Sequence, residues 1–300
     1  MSAIDATTAE PATESITDPR AGWSHPENDP WGPSGHELFP YPRFPSKHAQ
    51  RSVTSPEAFA PVPLERIPRT VFLCYTKFLE TAVARVVDAD PGSRESSVVS
   101  GLHFLSNGNA LSLNTSHLGA PGGVAQLERL IHLGVRSFVI AGIAGSVREG
   151  TGIGQVVVAQ KAIRDEGTSH HYLPPTEFAW PAPGIDTALA RHLEAKGIGV
   201  QVGGTWTTDA IFRETHVEIQ ELGCAGILTV EMEASAVFTV ARFRGVRAGA
   251  VFVVSDLVHR PDWERGQDGV ALEDSILRLL PALVSFDFQS VPNAAIGELG

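Results

Sequence analysis

The chain has 300 residues, room for one large α/β domain with extensions, and a formal net charge of -11 from 23 Lys+Arg against 34 Asp+Glu. That balance excludes a nucleic-acid surface, which needs clustered cations. No apolar run reaches the ~20 residues of a membrane span, and residues 1–20 lack the apolar core of a signal peptide. Cys74 and Cys224 lie far apart with no close ligand partners, so they read as reduced, buried thiols and not as a disulfide or zinc site. The expectation is a cytoplasmic protein with a small-molecule ligand, no nucleic-acid or membrane partner and no metal.

Residues 1–64 form a Pro-rich arm holding more than half of the 21 prolines. Its early part is rich in Ser, Thr, Asp and Glu, the composition of disorder. Trp23, Trp31, Phe39, Tyr41 and Phe44 are many for an inert linker, and predict a part that packs on the body or on a neighbouring subunit. The main domain is expected over 65–290, with a tail over 291–300.

Within that domain, 70–74 is a buried strand and 78–87 a helix with Leu79, Val83, Val86 and Val87 on one stripe. Residues 101–105 and 111–113 form a hairpin around Ser106-Asn107-Gly108, since Asn-Gly is a strong turn signal. A helix over 123–133 precedes a strand over 137–140, which enters a glycine-rich turn, Gly142-x-x-Gly145-Ser146. Strands follow at 155–158 and 161–164, then a helix over 186–196 and a strand over 200–205. The chain closes with a helix over 217–222, a strand over 227–230, a helix over 231–243, a strand over 248–255 and a helix over 273–286. Alternating strands and helices mean an α/β fold with a mostly parallel sheet.

Four segments carry candidate chemistry. Gly142, Ala144 and Gly145 are small enough for a ligand to approach the backbone, although tight turns also favour glycine. The run from Arg164 to His171 is polar and follows a strand; its adjacent histidines suit hydrogen bonding to a substrate or a surface loop. Trp206 is sized to stack on a heterocycle or to fill a core. Four residues apart, Asp209 and Arg213 are placed to pair on a helix. Glu231, Met232 and Glu233 place two carboxylates around a thioether, and Asp256 ends the β-branched run Val251-Phe252-Val253-Val254. A carboxylate can accept from two hydroxyls at once, and one among apolar neighbours is suited to general-acid work. Ligands of open α/β sheets bind at the carboxyl ends of strands.

In this order the segments resemble the nucleoside phosphorylase/uridine phosphorylase superfamily, which includes the methylthioadenosine and S-adenosylhomocysteine nucleosidases. The resemblance covers about residues 66–286. It rests on Glu231-Met232-Glu233, Ser255-Asp256, the glycine-rich run and Arg164-Asp165-Glu166-Gly167-Thr168-Ser169. It implies a three-layer α/β/α sandwich with a mixed, partly barrel-like central sheet, assembled as a homo-oligomer (dimer or hexamer). No cofactor is implied, with inorganic phosphate a possible co-substrate. Position by position, Glu233 matches the carboxylate on the ribose 2′- and 3′-hydroxyls, and Met232 the residue packed on the sugar. Glu231 is the preceding acid. Asp256 matches the acid that protonates a purine at N7, and Trp206 an aromatic beside the base. Gly142, Ala144 and Gly145 match the loop near the anomeric carbon. Arg164 and His171 join the substrate-binding set.

The pattern also departs from the family's. A phosphorylase carries a Gly-Asp-Pro-x-Arg loop after its first strand, where this chain has Cys74-Tyr75-Thr76-Lys77-Phe78. The Arg before the glycine run is matched by Ile140, and the Ser or Thr within it by Ile143. Lys77 or Arg164 stands as a substitute for phosphate, and Glu80 as a residue to activate water. The resemblance therefore implies a nucleoside phosphorylase-like enzyme that cleaves an N-glycosidic bond. A nucleosidase using water, and a non-catalytic nucleoside-binding protein, are its alternatives.

Overall fold

The structure is a computed structural model that describes residues 41–42, 44–115, 118–266, 269–288 and 291. Trp23, Trp31, Phe39 and the tail after Val291 lie outside the described residues. From Tyr41 onward the chain belongs to one compact unit.

The strands are β1 (Val71–Cys74), β2 (Arg94–Glu95), β3 (Leu102–Phe104), β4 (Ala110–Leu113), β5 (Ser137–Ser146) and β6 (Val156–Asp165). They continue as β7 (Phe178–Ala179), β8 (Val200–Thr208), β9 (Ile227–Glu231), β10 (Arg247–Leu257) and β11 (Glu264–Arg265). The helices are α1 (Glu80–Asp88), α2 (Ala120–His132), α3 (Ile185–Ala195), α4 (His216–Cys224), α5 (Ala234–Arg244) and α6 (Val270–Leu283).

One mixed sheet joins these strands in the order β11-β10-β6-β8-β9-β5-β1-β4-β3-β2, with β7 on β6. A further pairing of β10 with β5 closes β5, β10, β6, β8 and β9 into a ring, and β1, β4, β3 and β2 splay from β5. The ring is the barrel-like part of the sheet. It mixes parallel pairs, β5 with β10 and β6 with β8, with antiparallel pairs, β10 with β6 and β5 with β9.

Side-chain alternation makes the layers. Val71 and Leu73, Phe138 and Ile140, and Ala248 and Ala250 pack with Val124 and Leu127 of α2 and Val237 and Phe238 of α5. Their neighbours Phe72 and Cys74, Val139 and Ala141, and Val251 and Val253 pack with α1, α3 and α6 through Val83, Leu189 and Leu279. A strand covered on both faces must be apolar at every position, which is why these segments read as continuous apolar runs.

Several expected boundaries shift. The glycine-rich run is no turn: β5 continues through Gly142 and Gly145 to Ser146, held by β10 on one side and β9 on the other. Strands expected at 155–158 and 161–164 are one strand, β6, whose register against β8 slips between Ala159 and Lys161. Glu231 ends a strand and is not the start of a helix, because α5 begins only at Ala234. Asp209 and Arg213 share no helix; Ile211–Arg213 is a single 3-10 turn, and Asp209 accepts from the Gly167 N–H at 2.8 Å. Cys74 is buried, whereas Cys224, at the end of α4, is exposed.

Candidate active site

A cavity of about 490 Å³ opens where β5, β9 and β10 end. Its walls include Gly142, Ala144 and Gly145 from β5, Glu231, Met232 and Glu233 at the β9–α5 junction, and Ser255 and Asp256 from β10. Seven of the sequence-predicted site residues thus meet in one hollow although the chain separates them by more than a hundred positions.

The β9–α5 junction is fixed by Glu231, which is 5% exposed. Its Oε2 accepts from the backbone N–H groups of Glu233 (2.8 Å) and Ala234 (2.7 Å), and its Oε1 from the Thr207 hydroxyl at 2.5 Å. The carboxylate occupies the N-terminus of α5, satisfying donors the helix leaves unpaired. The side chain points into the protein body, and its neighbour two residues on is turned elsewhere. Glu233 Oε1 accepts from the Gly119 N–H at 2.7 Å. Gly119 has φ +84, a conformation that favours glycine, and this aims its N–H at the carboxyl. Burial, reinforced by the Glu231 charge, pushes the Glu233 carboxyl up to about 8. Burial likewise pushes Glu231 up to about 7 against its hydrogen bonds. Tyr75, on the facing wall, has its phenol held well above the ordinary value by burial and then by Glu233.

Asp256 is 7% exposed. Its Oδ1 accepts from the Ser255 hydroxyl at 2.5 Å and its Oδ2 from the Trp263 indole N–H at 2.7 Å. Gly145 lies directly against this group: a Cβ there would sit 3.2 Å from Asp256 Oδ2 and 3.1 Å from Val230 and Val258 methyls. The small residue in β5 is therefore matched to the acid in β10.

Three expected site residues are placed elsewhere. Trp206 is 2% exposed and packs with Val147, Ile219, Ile227 and Val230, its Nε1–H donating to Asp165 at 2.9 Å. Period-two geometry explains this, since Thr205 and Thr207 on either side both reach Glu231. Arg164 spends its guanidinium on Ser169, Leu173, Pro174 and Thr176 and pins the loop after β6. His171 meets Lys47 Nζ at 2.9 Å and Tyr41 Oη at 3.0 Å, and burial followed by the Lys47 charge lowers its pKa. The aromatic Tyr41 thereby packs on the body of the same chain. Lys77 and Glu80 are exposed and do not line the cavity.

Sequence reading missed Glu214 and Trp263, both in the cavity wall. Glu214 is an acid in a short connection with no periodic signal, and Trp263 lies seven residues after Asp256 in another. Only the fold brings them to the site.

A family model described as the phosphorylase superfamily matches residues 71–284. The chain belongs to that superfamily. It is 32% identical over 148 residues to a guanosine phosphorylase of Halorubrum lacusprofundi, covering 49% of this chain and 61% of that protein. It is 32% identical over 153 residues to a DeoD-type purine nucleoside phosphorylase of Bacillus thuringiensis, covering 50% of this chain and 64% of that protein. These matches span less than two thirds of the relatives' own length. In fold, the chain resembles the crystal structure of a uridine phosphorylase from Vibrio fischeri, with a TM-score of 0.61 and 22% identity, over 73% of this chain and 92% of that one. The barrel-like mixed sheet with helices on both faces is thus the superfamily's architecture. Among the described residues, no helix is long and apolar enough to cross a membrane.

Proposed function

We propose that this superfamily member is a nucleoside phosphorylase-type enzyme that cleaves the N-glycosidic bond of a purine nucleoside. The observation that carries the reading is that Asp256 and Glu233 line one cavity of about 490 Å³, a size suited to a small ligand. Glu233 is held by the Gly119 N–H at 2.7 Å on Oε1, and its carboxylate lines the cavity. That carboxylate is assigned to the ribose hydroxyls, with Met232 packed against the sugar. Asp256 is assigned to the base: its proton passes to N7, the C1′–N9 electron pair leaves with the base, and a nucleophilic oxygen bonds to C1′. General-acid assistance of this kind contributes roughly 10²–10⁴-fold. Relatives named as purine and guanosine phosphorylases support the purine assignment.

The acceptor is phosphate in a phosphorylase, giving a sugar 1-phosphate. A second reading, water as acceptor, is favoured by the wall itself. Ile140 and Ile143 line the cavity at the positions of the family's phosphate-binding Arg and Ser or Thr. An apolar side chain supplies no charge-assisted bond to an oxyanion. Among the wall residues Arg260 is the one Lys or Arg.

Base release from a panel of purine and pyrimidine nucleosides, with and without phosphate, tests the proposal. Phosphate-dependent release with a sugar 1-phosphate means phosphorolysis, and phosphate-independent release with free sugar means hydrolysis. Binding of nucleosides without any release would leave only the binding-protein alternative and overturn the enzymatic reading.

A further inference from the structure

The cavity wall holds a second carboxylate besides those already described. Glu214 lies in the connection from β8 to α4 and lines the same cavity as Asp256; burial, followed by the Asp256 charge, pushes its carboxyl up to about 7. The helix that follows does not use it. Thr215 caps α4 and exchanges hydrogen bonds with Glu218: the Thr215 N–H donates to Glu218 Oε2 at 3.1 Å, and the Glu218 N–H donates back to Thr215 Oγ1 at 3.4 Å. That cap fixes the chain immediately after Glu214 and leaves the Glu214 side chain out of the capping pattern. Among the described residues no hydrogen bond reaches its carboxylate, whereas Asp256 has a donor on each oxygen from Ser255 and Trp263.

A half-buried carboxylate without protein donors fits a ligand that brings its own. α4, which Glu214 directly precedes, packs its Ile219 with Val230 and Val258, and Val258 and Asp256 both flank Gly145. Glu233 instead faces Gly119, Gly123 and Tyr75. Glu214 therefore belongs to the acid's end of the cavity and not to the sugar's. On a purine, the group beside N7 is the substituent at C6, which is a donor in adenine and an acceptor in 6-oxopurines.

We propose that Glu214 is a specificity-determining residue that accepts from an amino group beside the protonated ring nitrogen, so that the site selects a 6-aminopurine over a 6-oxopurine. The inference rests on the nucleoside-cleaving reading above, and it commits that reading to one base class. An ionised Glu214 repels the lone pairs of a 6-oxo group, so discrimination comes from repulsion as well as attraction.

The test compares adenosine with inosine at about pH 8, where Glu214 is mostly ionised. The wild-type protein is expected to favour adenosine in kcat/KM by about tenfold or more, the size of one hydrogen bond to a charged group. Glu214→Gln, which offers both a donor and an acceptor, should bring the ratio close to one, and Glu214→Leu should lower adenosine turnover while sparing inosine. A wild-type ratio near one, or a ratio unchanged in Glu214→Gln, overturns the proposal. Equilibrium binding of adenine and hypoxanthine separates the two levels of inference. If no nucleoside is cleaved, an adenine preference that disappears in Glu214→Gln still supports the role of Glu214 while the enzymatic reading fails. Equal binding of the two bases overturns that role directly.

Discussion

The indole N–H of Trp263 donates to Oδ2 of Asp256 at 2.7 Å, across the short connection that turns from β10 into the edge strand β11. Trp263 thereby binds the same group that the proposed chemistry needs as an acid, and it lines the cavity in which the base would sit.

Trp263→Phe removes that donor and keeps the aromatic wall. Asp256 then loses one of the two bonds that position it, so kcat/KM is expected to fall by about tenfold, the size of one hydrogen bond to a charged group. A kcat/KM unchanged from the wild type's would mean that the indole does not position Asp256.

Asp256→Asn keeps size and polarity and removes the transferable proton. Turnover should fall by roughly 10²-fold or more, while nucleoside binding measured by calorimetry stays within a few-fold. A variant that releases base at the wild-type rate would assign the acid elsewhere.

Stability should decline with rising pH. Burial pushes Glu233 up to about 8 and Glu231 and Glu214 up to about 7, from an ordinary value of 4.5. Between the ordinary value and these raised ones the folded protein holds more protons than the unfolded chain, so each step up in pH favours unfolding. The stabilisation is present at about pH 5 and is lost as the pH passes about 8. Thermal melts across that window should show a falling midpoint, with a shallower slope in Glu233→Gln. A midpoint that rises through the window would contradict the direction of all three shifts.

Trp206→Phe separates a core role from a base-stacking one. It loses the 2.9 Å bond to Asp165 and some packing against Ile219 and Ile227. Stability should drop by about 1–3 kcal/mol in denaturant unfolding, with KM for nucleoside within about twofold of wild type. A large KM increase without destabilisation would return Trp206 to the base.

Glu233, Met232, Asp256 and the small residues of β5 were legible as site candidates because a strand end and a strand–helix junction have sequence signatures. Glu231 is legible as an acid, but its place at the end of β9 is not. A helix-forming run conceals that its first carboxylate is consumed by the N–H groups of the residues after it. Arg164, His171 and Trp206 look like ligand residues in one dimension because buried polar networks and binding sites recruit the same side chains. In the folded chain their polar atoms meet Ser169, Lys47, Tyr41 and Asp165, partners that only the tertiary structure supplies.

The α/β class, the order of most elements and the superfamily are all readable from the amino-acid sequence alone. Apolar periodicity, turn residues and the spacing of acids are local properties that each segment carries alone. That β5 runs through its glycines follows from the fold, because the pairing of β10 with β5 closes the ring and holds that backbone extended. The same closure brings Gly145 against Asp256, and the fold around it sets Trp263 on that acid and Glu214 in the same wall. Contacts between residues distant in the chain depend on how the sheet closes, and no single segment encodes that closure.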